Sequence, residues 1–213
     1  MKENKRSLKN LIYGDTMEKP LITSAKELKS FLEQDAKANY RHTLKIRPFG
    51  DEIWKFIRYM RYLQFYDHKR KKDPFVYFPF LIMRARFRKL ALKLGFSIHW
   101  TTRIGKGFCI THYGSIVINN KTVIGENFKC HAGVNIGATN GSYRSATIGN
   151  NVYAGPGVKI VGDISIADDV VLGAGAVVVK SIEEKGTTWG GVPAKKISDN
   201  DSRVHLSSLL FKD

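Results

Sequence analysis

Six side chains in this sequence could move a proton near neutral pH, the histidines at 42, 68, 99, 112, 131 and 205. An imidazole titrates where a general base is useful, so it suits a reaction in which a hydroxyl loses its proton while attacking a carbonyl. His112 stands in T-H-Y-G at 111–114. Spacing alone leaves it equally open to being a surface histidine at a turn. No pair is spaced H-x-x-x-x-H, so the three-histidine zinc site of a metal-dependent carbonic anhydrase is not expected, nor is any other metal. Cys109 and Cys130 lack C-x-x-C spacing and are expected to fill small core positions rather than to react.

The elements that must position such residues differ between the two halves of the chain. Its 213 residues, 43% of them hydrophobic, suffice for one large domain or two small ones. The net charge of +16 is uneven: residues 1–95 hold 23 Lys and Arg against 10 Asp and Glu, whereas the rest holds 12 against 9. A nucleic-acid partner is therefore not expected, because the charge gathers away from the half that carries the candidate chemistry. The first ten residues are polar and basic, and apolar stretches elsewhere are soon broken by charge. No signal peptide or membrane span is expected, and the location expected is the cytoplasm. Aromatics interleaved with Lys and Arg from Trp54 to Phe87 suggest peripheral attachment to the anionic inner membrane surface, with a solvated helical face as the alternative.

Residues 1–95 read as a basic α-helical region. Ser24 and Glu27 fit a capping box, and Leu28, Phe31, Leu32 and Ala36 follow at helical spacing. A second helix is predicted from about Asp51 to Phe65, and a third from about Phe80 to Leu94 with Gly95 as its stop. The run Lys69-Arg70-Lys71-Lys72 reads as a basic loop between them.

From Phe96 onward a period of six appears. Ile148, Ala154, Ile160, Ile166, Leu172 and Val178 form one series, Ile98, Ile104, Ile110 and Ile116 a second, and Ile118, Ile124, Cys130 and Ile136 a third. Such a period fits neither a helix nor plain strand alternation. It requires a short strand and a turn that bring the chain back to the same orientation, three of which make a triangular coil. Four to five stacked coils follow, with aliphatic residues inward and the glycines at 105, 125, 137, 149, 155 and 173 suited to tight corners. The series breaks twice: it slips by two residues between Ile116 and Ile118, just after T-H-Y-G, and it lacks an inward aliphatic at Ser142, so residues 138–146 are expected to be extruded.

The segments I-G-K-G at 104–107, T-H-Y-G at 111–114, I-G-N-N-V-Y-A-G-P-G at 148–157, G-A-G-A-V-V at 173–178 and G-V-P-A-K at 191–195 occur in this order. Over residues 96–198 they resemble the left-handed β-helix, hexapeptide-repeat acyltransferases, within these the serine acetyltransferase-like group that includes capsule and exopolysaccharide O-acetyltransferases. The resemblance implies a mainly β fold, a left-handed parallel β-helix at 96–198 behind the α-helical region at 1–95, with a tail at 199–213. It implies a homotrimer with sites between neighbouring coils and acetyl-CoA as cosubstrate. His112 falls at the catalytic base position, and Thr111, Tyr113 and Arg144 fall at acceptor-binding positions. Ala174 would touch the pantetheine arm, with Lys180 and Lys195 near the nucleotide phosphates. His99 and His131 read as structural, although His99 matches a family histidine that could line the site wall.

Departures from the serine acetyltransferases shape the acceptor expectation. Ser97 and Thr111 stand where that family has aspartates, and Ser145 replaces a histidine of the extruded loop, next to the retained Arg144. Neutral groups in place of charged ones point to a sugar hydroxyl of a capsule, exopolysaccharide or related surface glycan. Serine O-acetylation in cysteine synthesis is the alternative, and an inactive scaffold on the same fold is a third reading.

Overall fold

A computed structural model describes residues 20–139 and 142–211. The polar first residues lie outside that range, as do two residues of the 138–146 loop. Among the described residues three helices come first: α1 (Ala25–Ala38), α2 (Glu52–Arg70) and, after a short 3-10 turn at Pro74–Val76, α3 (Tyr77–Leu94). The capping box closes on α1, with Ser24 Oγ accepting from the Glu27 amide at 3.2 Å while the Glu27 carboxylate accepts from the Ser24 amide. Gly95 ends α3 in the left-handed conformation, φ 73°, which a side chain would disfavour. Both later helices run longer than predicted. Lys69 and Arg70 belong to the last turn of α2, where cations favour the helix dipole, so the basic loop begins only at Lys71.

Fifteen short strands follow, from β1 (Phe96–Ile98) to β15 (Lys195–Ser198). They stack into three parallel sheets of five, four and five strands, and among the described residues only β15 joins antiparallel, at the end of the third. This is a parallel β-helix of about five turns with a helical region before it. The six-residue series point inward: Ile148, Ala154, Ile160, Ile166, Leu172 and Val178 are all buried, as are Cys109 and Cys130. Burial pushes the Cys109 thiol up to about 12 and Cys130 higher still, so neither is a nucleophile.

Strand register measures the two breaks. Partners in the first two coils lie 20 residues apart, as in Arg103 opposite Val123, whereas β4 meets β7 at a spacing of 18. Two extra residues therefore sit between β3 (Cys109–Ile110) and β4 (Ile116–Ile118). Between the second and third coils the spacing becomes 24, as in Val123 opposite Thr147, and returns to 18 at Thr147 opposite Ser165. Six extra residues therefore sit between β7 (Asn135–Gly137) and β8 (Thr147–Ile148).

The glycines at 105, 125 and 149 are required by close stacking of coils and not, as expected, by tight backbone turning. A Cβ on Gly125 would lie 2.8 Å from the Gly149 backbone, and one on Gly105 2.5 Å from the Gly125 carbonyl oxygen. Gly125→Ala is expected to lower stability by about 1–3 kcal/mol, the usual cost of forcing atoms into a packed site. Ala167→Gly, at the equivalent corner two coils later, is expected to cost no more than about 1 kcal/mol. Urea unfolding of the two variants checks the ranking.

The helices join the first coil through a buried ion pair. Arg61 and Asp35 side chains are both fully buried and meet at 2.8 Å. Arg61 also donates to the Ile104 and Gly105 carbonyls at 2.7 Å each, and Asp35 accepts from the Gly107 and Phe108 amides at 2.8 and 2.9 Å. The apolar core runs without a break from α2 and α3 into the coils.

Candidate active site at the His112 edge

The two-residue insertion at 111–115 forms a turn on the edge between the third and first sheets, braced against the end of α3. The Gly114 amide donates to the Leu94 carbonyl at 3.0 Å and the Ile116 amide to the Gly95 carbonyl at 3.2 Å. At this edge His112 is exposed, so an acceptor can reach it from outside the coil.

The coil below places a second imidazole beside the first. The His112 and His131 ring centroids lie 5.7 Å apart, and the Tyr153 ring follows 5.4 Å from His131. Tyr153 Oη is 3.2 Å from His131 Nε2. The tail folds back over this face, stacking His205 on Tyr153 at 4.6 Å. Beneath the stack, the nearly buried Lys129 donates to Tyr40 Oη at 2.9 Å and to the His205 carbonyl at 2.7 Å. Burial, then the Lys129 charge and His112, hold His131 below the usual histidine range. Spacing in the sequence could not reveal this, because residues 19 apart become neighbours only when the coil length is 20.

Thr111, Tyr113 and Arg144 take different places. Thr111 is half-buried, its Oγ1 shielded from solvent, and its amide donates to the Cys130 carbonyl at 3.1 Å. Tyr113 is 70% exposed and borders a cleft of about 170 Å³ with Asn39, Trp54 and Ile110. Arg144 is half-buried, 3.8 Å from Asp163, on the loop between the first and second sheets. That is another edge of the triangle, so one chain does not bring Arg144 to His112. Ser145 is fully buried and shares a hydrogen bond with Thr122 Oγ1 at 2.9 Å. Ser97 is exposed on the outer face of β1, and His99 at its end bonds Thr101 Oγ1 at 2.6 Å through Nδ1. Among the described residues no three His, Cys, Asp or Glu side chains gather as metal ligands do.

The same edge continues along the coils away from His112. The amides of Thr111, His131, Gly155 and Gly173 each donate to the coil below in register. Ala174 thus lies three coils from His112, about 14 Å at the usual strand spacing. Beyond His131 this edge carries Ala132, Gly133, Pro156 and Gly157, with open space for a Cβ at Gly175. Lys180 and Lys195 are exposed beyond it and make no ion pair among the described residues, whereas Lys196 is held by Glu184 and Asp199 at 2.5 Å.

A parallel β-helix built on a six-residue repeat, with an exposed histidine on one edge, is the architecture of the hexapeptide-repeat transferases. The Bacterial transferase hexapeptide (six repeats) model matches residues 145–180. A serine acetyltransferase of Helicobacter pylori strain J99 is 37% identical over 122 residues, covering 56% of this chain and 70% of that protein. One from Synechococcus elongatus is 34% identical over 115 residues, 53% of this chain and 47% of that one. The structure of the Brucella abortus serine acetyltransferase in complex with coenzyme A is similar at a TM-score of 0.63, with 27% identity, over 88% of this chain and 73% of that one. The soybean enzyme complexed with serine gives 0.64 at 26% identity, over 80% and 69%.

The chain belongs to the serine acetyltransferase family of hexapeptide-repeat transferases. It is an acetyltransferase with acetyl-CoA as cosubstrate.

These relatives are serine acetyltransferases, which overturns the expected glycan acceptor. Of the three neutral groups that pointed to a sugar, Ser145 and the Thr111 hydroxyl are shielded from solvent and out of an acceptor's reach.

Proposed function

We propose that the protein transfers the acetyl group of acetyl-CoA to the hydroxyl of serine, with His112 as the general base. The observation that carries this reading is His112 exposed at the insertion that breaks the first coil, on a chain whose helices and coils both match serine acetyltransferases. His112 takes the hydroxyl proton as the oxygen attacks the thioester carbonyl. The tetrahedral intermediate then collapses, the C–S bond breaks, and the departing sulfur takes the proton back. Tyr113 and Arg144 remain the acceptor-side residues of this proposal, Thr111 holds the turn through its backbone, and Ala174, Lys180 and Lys195 are the residues for coenzyme A.

The proposal includes a homotrimer. The 138–146 loop with Arg144 occupies a different edge from His112, so a neighbouring chain is needed to bring them together. It also keeps the enzyme in the cytoplasm, with peripheral contact to anionic lipid through α3, which exposes Phe78, Leu81 and Ile82 beside Arg84 and Arg88. Among the described residues no helix is long and apolar enough to cross a membrane.

With serine and acetyl-CoA, free CoA thiol is expected to appear in step with O-acetylserine, and glycine, which lacks the hydroxyl, is expected to give only background release. Turnover of another hydroxyl compound with none on serine would overturn the acceptor.

A further inference from the structure

We propose that His131 is a second catalytic residue, whose Nδ1–H donates a hydrogen bond to the oxyanion of the tetrahedral intermediate formed at His112. The inference rests on His112 as the base, and the two assignments fail in different experiments.

On the edge that exposes His112, a second imidazole lies beside it, the His131 ring centroid 5.7 Å from that of His112. At this separation the rings are in contact, and one tetrahedral carbon lying across their open side could set one oxygen about 3 Å from a nitrogen of each.

What the ring can offer depends on its tautomer. Tyr153 Oη lies 3.2 Å from Nε2. A phenol donating there leaves the imidazole hydrogen on Nδ1, which has no partner among the described residues. The charged and titratable groups around the ring are Lys129 on its own strand, His112 on the coil above, Tyr153 on the coil below and His205 stacked beyond that tyrosine. Burial and the nearby cations both favour the neutral ring, so His131 can donate without competing for the proton that His112 must accept.

Bond changes in the step are those of ordinary acetyl transfer. The hydroxyl proton goes to His112, the new C–O bond forms, and the carbonyl electron pair moves onto oxygen. There it accepts the Nδ1–H bond, and no proton leaves His131. The intermediate returns that electron pair as the C–S bond breaks.

In the full-length enzyme, His131→Phe keeps the ring packing but loses the donor. It is expected to lower kcat about 10²–10³-fold, the usual cost of one oxyanion donor, with the KM for acetyl-CoA nearly unchanged. His131→Gln restores a side-chain N–H and is expected to exceed the Phe variant in kcat. Equal kcat for the Phe and wild-type enzymes, a loss confined to KM, or a Gln variant no better than Phe would each overturn the proposal. The tautomer is read independently in the unmutated protein by nitrogen NMR of the imidazole, with the hydrogen expected on Nδ1. A hydrogen on Nε2 overturns the proposal even if the variants do not fold. If His112→Ala keeps turnover, the base assignment fails. If it is inactive while His131→Phe is unimpaired, only the oxyanion donor fails.

Discussion

His112→Ala is expected to lose acetyl transfer by about 10²–10⁴-fold, the range for removing a general base, while folding and assembly remain as in the wild type. The side chain is exposed at a turn and supports no core packing. The turn is held by backbone bonds from Gly114 and Ile116 to the end of α3, and these do not involve the imidazole. Far-ultraviolet circular dichroism and light scattering should therefore match the wild type, while CoA release falls. A variant with near wild-type turnover would remove His112 from the reaction, and an unfolded one would show that the turn depends on the ring.

Arg61→Met is expected to be the most damaging single change to stability, by about 3–5 kcal/mol, because it leaves a carboxylate buried without its countercharge. Asp35 is fully buried, and Arg61 supplies the only side-chain cation that bonds it among the described residues. At about 2–4 °C per kcal/mol for a chain of this size, melting should fall by roughly 10 °C. Adding Asp35→Asn removes the stranded charge yet keeps an acceptor for the Gly107 and Phe108 amides, so the double variant should recover part of the loss. Differential scanning calorimetry of the single and double variants decides the matter. A drop below about 1 kcal/mol in the single variant would mean that water reaches the carboxylate, and the lock between helices and coil would then be weaker than the geometry indicates.

The six-residue repeat of this chain was legible because it is local. One short strand and one turn return the chain to the same face, so inward positions repeat in the sequence as they do in space, from Ile98 to Val178. Both interruptions were legible for the same reason, as a slip of two residues and a missing aliphatic at Ser142, although the period places the slip after Ile116 and the extra residues lie before it. The capping box of α1 and the stop at Gly95 likewise depend on neighbours a few residues away.

Relations across coils were not legible, because each depends on the length of a whole turn. His131 reaches His112 only because that turn holds 20 residues and not 18. Asp35 meets amides more than seventy positions away, and no local pattern marks a buried aspartate as the anchor of a distant strand. Gly125 is glycine because of the coil stacked on it, although its sequence context suggested a turn. The sequence, then, determined the repeat, the inward face and its two interruptions, since strand and turn geometry act within a few residues. Tertiary structure alone decided that Ser145 and the Thr111 hydroxyl are shielded from solvent, that Arg144 and His112 occupy different edges, and that two imidazoles share one edge. Each follows from the rotation accumulated over a full coil, which no segment shorter than that coil contains.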